Sequence, residues 1–216
     1  QLFTMIKVII FYLDDTLSDS NFDRLIWDVK IPRIYAEKNN ISFEKSQEYV
    51  SNEYKRLSGK IKGKWYDAEW WLKYLKLKYS WNDLLDELKP EIKHFPEVKK
   101  VLKKLKKQGY KLIIVTTAEN KFMNAKLECE GLGDFFDKKF STSSDFNQHK
   151  KNILIYNKIL KTLKIKPEEM LHIGNHFDFD YIAPRKIGIK AVLIDRSGKN
   201  KKAIKELNEI YEFLKI

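Results

Sequence analysis

Four nearly continuous apolar runs decide what this chain can fold into. They are KVIIFYL at residues 7–13, KLIIVTT at 111–117, EMLHIGN at 169–175 and KAVLID at 190–195. Runs that are apolar at almost every position, rather than at alternate ones, suit parallel strands covered on both faces. Helical spacing of apolar residues precedes the last three runs, at 95–107, 153–165 and 180–188. Strand–helix alternation of this kind predicts an α/β fold with a doubly wound, Rossmann-like parallel sheet.

The first and second runs are separated by nearly a hundred residues, far more than the dozen or so a crossover needs. Residues 20–92 carry no strong strand signal and four amphipathic segments, at 21–38, 42–58, 67–79 and 82–88. This predicts an inserted all-helical domain at 20–92 over an α/β core built from 5–19 and 93–216. The insert holds all five tryptophans, Trp27, Trp65, Trp70, Trp71 and Trp81, read as the core of its helical layer.

The net charge of +12 invites a nucleic-acid reading. Only five of the 42 basic residues are arginine, however, and bidentate recognition of bases and phosphates relies on arginine. In VKKVLKKLKKQG, at residues 98–109, the lysines lie opposite the apolar stripe, as on a solvated helix face. No specific nucleic-acid partner is expected. The single cysteine, Cys129, excludes an internal disulfide and fits a reducing, cytoplasmic setting. No apolar run reaches the length of a membrane span. No signal peptide is read at the N-terminus, and Met5 reads as a start, with residues 1–4 a remnant.

Active sites of open α/β sheets lie at the carboxyl ends of the strands. The first strand delivers Tyr12, Asp14, Asp15 and Thr16 there, the second Thr116 and Thr117, and the third Asn175, His176, Asp178 and Asp180. Lys150 stands ahead of the third strand. Hydroxyls, a lysine and several acids at one edge point to a phosphate site with a divalent cation.

In order and spacing these residues resemble the four motifs of the haloacid dehalogenase superfamily, on its helical-cap, phosphatase-like branch. Tyr12-Leu13-Asp14-Asp15-Thr16-Leu17 matches the frame D-x-D-x-T-L. Thr116 matches the second motif, Lys150 of Lys150-Lys151 the third, and Gly174-Asn175 with Asp180 the fourth. The resemblance implies hydrolysis of a small phosphorylated metabolite through an aspartyl-phosphate, with Mg²⁺ as cofactor. By position, Asp14 is the acid/base and a metal ligand through its carbonyl. Thr116, Thr117 and Lys150 hold the substrate, and Asn175 and Asp180 occupy the other metal positions.

Two positions depart from that pattern. Tyr12 replaces the nucleophilic aspartate, and Asn175 replaces a metal-binding acid. A phenol ordinarily titrates near pH 10 and is neutral at pH 7. Mg²⁺ depends on carboxylate ligands, so weak or absent metal binding and lost or engineered-away catalysis are expected. One alternative is an active hydrolase using Asp14 as nucleophile in a shifted frame. Another is a pseudoenzyme, kept as a binding or scaffold subunit. The expected partner is a small phosphorylated molecule or phosphate ion, with a homodimer or protein partner left open.

Overall fold

The computed structural model describes residues 5–215; residues 1–4, read above as a remnant, lie outside them. Five parallel strands form one sheet: β1 (Val8–Phe11), β2 (Lys111–Thr116), β3 (Lys138–Ser141), β4 (Met170–Gly174) and β5 (Lys190–Leu193). Their spatial order is β3-β2-β1-β4-β5. The chain reverses direction across the sheet at β1, which pairs with both β2 and β4.

Alternation along β1 feeds two cores. Ile9 and Phe11 join one with Val101, Leu105, Met123 and Ile210. Val8 and Ile10 join the other with Ile155, Tyr156 and Ile159. All four strand residues are buried, which is why the run is apolar at every position.

Four of the strands coincide with the apolar runs. The fifth, β3, is an edge strand with the sequence KKFS. Its lysines are exposed, a common way of blunting a sheet edge, and they hid it from a search for apolar runs.

Among the described residues, 20–92 contains no β-strand. The helical cap comprises α1 (Asn21–Arg24), a π-helical turn (Leu25–Lys30), α2 (Ile31–Asn39), α3 (Phe43–Leu57), a 3₁₀ turn (Lys62–Tyr66), α4 (Ala68–Tyr74) and α5 (Trp81–Leu88). Ser42, Asp67 and Ser80 cap three of these helices, Ser80 in a reciprocal capping box with Asp83.

α4 stops five residues short of the predicted helix at 67–79. Lys76 turns left-handed (φ 56°), and the Leu77 N–H donates to the Leu72 carbonyl at 2.8 Å. That bond closes a Schellman-type end without the usual glycine, so nothing in the sequence marked the stop. Of the five tryptophans, Trp71 and Trp81 are buried as expected. Trp27, Trp65 and Trp70 are only half-buried, which corrects the reading of all five as core.

The core helices are α6 (Val98–Lys107), α7 (Asn120–Glu128), α8 (Thr142–Phe146), α9 (Ile153–Leu163), α10 (Ala183–Arg185) and α11 (Ile210–Leu214). The predicted helix at 180–188 is instead a π-helical turn (Phe177–Ile182) running into α10. The cap packs on α7, whose Phe122 and Ala125 join the cap core with Phe22, Ile26, Leu72 and Trp81. Among the described residues no helix is long and apolar enough to cross a membrane.

Candidate active site

The carboxyl ends of β1, β2 and β4 open on a cleft of about 310 Å³. Tyr12, Asp14, Thr117, Lys150, Lys151 and Asn175 are among the residues that line it. Tyr12 follows directly on β1, its N–H donating to the Ile173 carbonyl at 2.9 Å. Its phenol oxygen lies 3.1 Å from Thr117 Oγ1. The Lys151 ammonium sits 3.2 Å from the centre of its ring. Burial, then the nearby Asp14 charge, pushes the Tyr12 hydroxyl well above the ordinary phenol range.

After Tyr12 the chain turns sharply. The Leu13 carbonyl accepts from the N–H groups of Thr16, Leu17 and Ser18. Asp15 takes a left-handed conformation (φ 51°), which aspartate tolerates better than most non-glycine residues. This turn directs Asp14 toward α7, where its carboxylate pairs with the Lys126 ammonium. Lys126 is fully buried and pairs also with Asp23 of α1. Burial works against the Lys126 charge, but Asp14 and Asp23 outweigh it and hold its pKa above the usual lysine value.

Asp180, in the π-helical turn, is fully buried. Its carboxylate pairs with Lys151, lies 3.0 Å from His172 Nε2 and accepts the His176 N–H at 3.0 Å. Burial alone would raise its pKa; Lys151 and His172 pull it well below the carboxylate range. Gly174 makes this close approach feasible: a Cβ there would lie 2.4 Å from the Asp180 carboxyl carbon. Asn175 follows on the cleft wall, with its Oδ1 buried and without a hydrogen-bond partner.

The structure sorts the residues expected from sequence. Tyr12, Asp14, Thr117 and Asn175 line the cleft. Asp180 lies behind it, packed against Gly174 and paired to Lys151. Thr116 does not line the cleft: it is buried, and its Oγ1 accepts from the Ala118 N–H at 3.1 Å. Lys150 is on the cleft wall but exposed, its ammonium 5.7 Å from the Phe179 ring.

The buried lysine over the strand ends is Lys151, not Lys150. Asn152 caps α9 by accepting from Ile155 N–H, which fixes the register of the preceding lysines. Lys126 and Asp23 were missed altogether. Their trace in the sequence is that Lys126 follows Phe122 by four residues and Met123 by three, with Leu127 beside it. A lysine on the apolar face of α7 needs a buried counter-charge.

Residues 9–194 match the haloacid dehalogenase-like hydrolase family. The chain belongs to this family. Among solved structures it is similar to a HAD phosphatase from Thermococcus onnurineus, with a TM-score of 0.83 at 25% identity, covering 97% of this chain and 98% of that one. It is 28% identical over 200 residues to a glyceraldehyde 3-phosphate phosphatase of Methanothermobacter thermautotrophicus, covering 88% of this chain and 86% of the relative. It is 24% identical over 170 residues to a GMP/IMP nucleotidase of Escherichia coli, covering 79% and 74%. This haloacid dehalogenase-like chain thus combines the five-stranded parallel core with a helical cap, and phosphatases are among its relatives.

Proposed function

We propose that this chain is a haloacid dehalogenase-fold protein of phosphatase lineage that holds a phosphate group, free or on a small molecule, without metal-dependent turnover. The observation that carries this reading is Tyr12. In the position of the family's nucleophilic aspartate stands a phenol, kept protonated by burial and covered by the Lys151 ammonium. A neutral phenol is a poor nucleophile toward phosphorus.

Phosphatases of this family generally use Mg²⁺, and the residues present do not fit that ion. Mg²⁺ requires near-octahedral oxygen ligands and gives up its water reluctantly. Asp14 shares the Lys126 ammonium with Asp23, and the Asp180 carboxylate is tied to Lys151. The unpartnered Asn175 Oδ1 is an oxygen without charge. The same ion pair disfavours Asp14 as a nucleophile in a shifted frame, because attack would strip the buried Lys126 of a counter-charge.

The ligand half of the reading rests on the polar groups of the cleft wall. Lys150, His149 and His176 line it beside Thr117, and the buried His149 Nδ1 has no hydrogen-bond partner. Isothermal titration with inorganic phosphate should show binding that survives EDTA and weakens in Lys150→Met. Aryl-phosphate hydrolysis by the unaltered protein should not rise on adding Mg²⁺. Mg²⁺-dependent turnover abolished by Asp14→Asn would instead establish the shifted frame. Failure of phosphate to bind would remove the ligand half.

A further inference from the structure

The chain crosses between core and cap twice, at residues 14–20 and 92–95, and the two crossings are hydrogen-bonded to each other. The Asp19 N–H donates to the Lys93 carbonyl and the Phe95 N–H to the Leu17 carbonyl, both at 3.0 Å. Ser18 and His94 thus face one another in a short antiparallel pair. A cap joined to its core by two paired crossings can turn only about that pair. Ser58, Trp65 and Tyr66 of the cap line the strand-edge cleft, so this hinge also sets how open the cleft is.

His94 places a titratable ring inside the hinge. Its side chain is 2% exposed, and neither ring nitrogen completes a hydrogen bond among the described residues. The neutral ring tolerates such a place better than the charged one, which carries two N–H donors and a full charge.

The groups facing the ring come from three sides. Glu130, in a 3₁₀ turn (Cys129–Gly131), has its Oε2 3.8 Å from His94 Nδ1, and its own side chain is half in water. Lys99 of α6 donates to the Glu130 carbonyl at 2.7 Å, and Cys129 Sγ approaches the Ile92 carbonyl at 3.9 Å. Lys126 of α7 repels a charge on the ring, while its backbone and Asp19 favour one. Burial outweighs Glu130 and the rest and holds the His94 pKa below the usual histidine value.

We propose that His94 is an acid-sensitive pin of this hinge: proton uptake by its ring favours chains whose two crossings have parted and whose cap has swung from the cleft. In the closed hinge the charged ring is cut off from water, with Glu130 and the Lys126 backbone alone to steady it; once the crossings part it is hydrated. The closed form therefore binds fewer protons at this site, and lowering the pH through about 6.5 shifts the balance toward the open one. Asp23 pulls the other way, since its raised carboxyl keeps a proton in the closed form. The inference does not depend on what the cleft holds.

The test is amide hydrogen exchange of the full chain between about pH 7.5 and 5, corrected for intrinsic exchange, with the amides of β1 as the internal reference. The Asp19 and Phe95 amides should lose about tenfold more protection across this range in the unaltered protein than in His94→Gln, while β1 stays protected in both. Asp23 is present in both proteins, so the difference between them belongs to His94. The same pH dependence in both, or a hinge loss matched by β1, overturns the inference. NMR titration of the His94 ring in the unaltered chain stands even where the variant fails to fold. The ring should take up its proton only as the hinge amides lose protection; a ring that charges while they keep it overturns the inference.

Discussion

Asp180 and Lys151 form an ion pair in which both side chains are essentially removed from water. Such a pair contributes little net stability, but removing one partner strands a buried charge at a cost of about 3–5 kcal/mol. Asp180→Asn should therefore destabilise the fold by roughly that amount in urea titrations. The double variant Lys151→Met/Asp180→Asn should lose less than the single one, since the stranded ammonium is gone. The sign with pH follows from the depressed Asp180 pKa. Its stabilisation should be complete above the ordinary carboxylate value of about 4 and decline as pH falls below it. The position of Asp180 behind the strand edge was legible from its spacing after Gly174. Its commitment to Lys151 was not, because two adjacent lysines are equivalent in sequence until the Asn152 cap sets the register.

At the scale of elements, contacts between cap and core concentrate on α7 and α8. Lys126 of α7 joins Asp14 of the core to Asp23 of the cap, and Lys121 pairs with Glu69 of α4. Asp23 is pushed up to about 6, chiefly by burial, with Lys126 opposing and Asp14 adding to the rise. A raised carboxyl pKa means the folded state binds the extra proton. Its favourable contribution should thus be present below about pH 4 and be lost as pH rises toward 6. Asp23→Asn should flatten that part of the stability–pH curve, measured by urea midpoints between pH 4 and 7. A second contact is the approach of the 3₁₀ turn to α8. The Gly63 N–H donates to Asn147 Oδ1 at 3.2 Å, and a Cβ at Gly63 would lie 2.4 Å from the Ser143 carbonyl oxygen. Because the obstacle is backbone, Gly63→Ala should cost about 1–3 kcal/mol in thermal or urea unfolding.

Over the whole molecule, the sheet was readable because β1, β2 and β4 are buried on both faces and are apolar at most positions. The edge strand β3 escaped because an edge needs only half a buried face. The cap was visible as a strandless insert, whereas the half-burial of Trp27, Trp65 and Trp70 was not, since helical spacing of tryptophans does not say how deeply each ring packs. The strand-edge residues were legible as a constellation through their motif spacing, and Thr117 and Asn175 do meet Tyr12 on one cleft. The Lys126 bridge belongs to no motif and depends on how the cap folds back onto α7.

We propose that Tyr12 and Asn175 together separate this chain from metal-dependent phosphatase chemistry. The most direct measurement is a restoration series: Tyr12→Asp, Asn175→Asp and the double variant, each assayed for aryl-phosphate hydrolysis with and without Mg²⁺. Both positions would serve one ion, so their effects should be strongly non-additive. The expected result is Mg²⁺-dependent turnover in the double variant, on the order of a hundredfold or more above either single one. An unaltered protein that already matches the folded double variant, or a folded double variant that stays inert, would contradict the account.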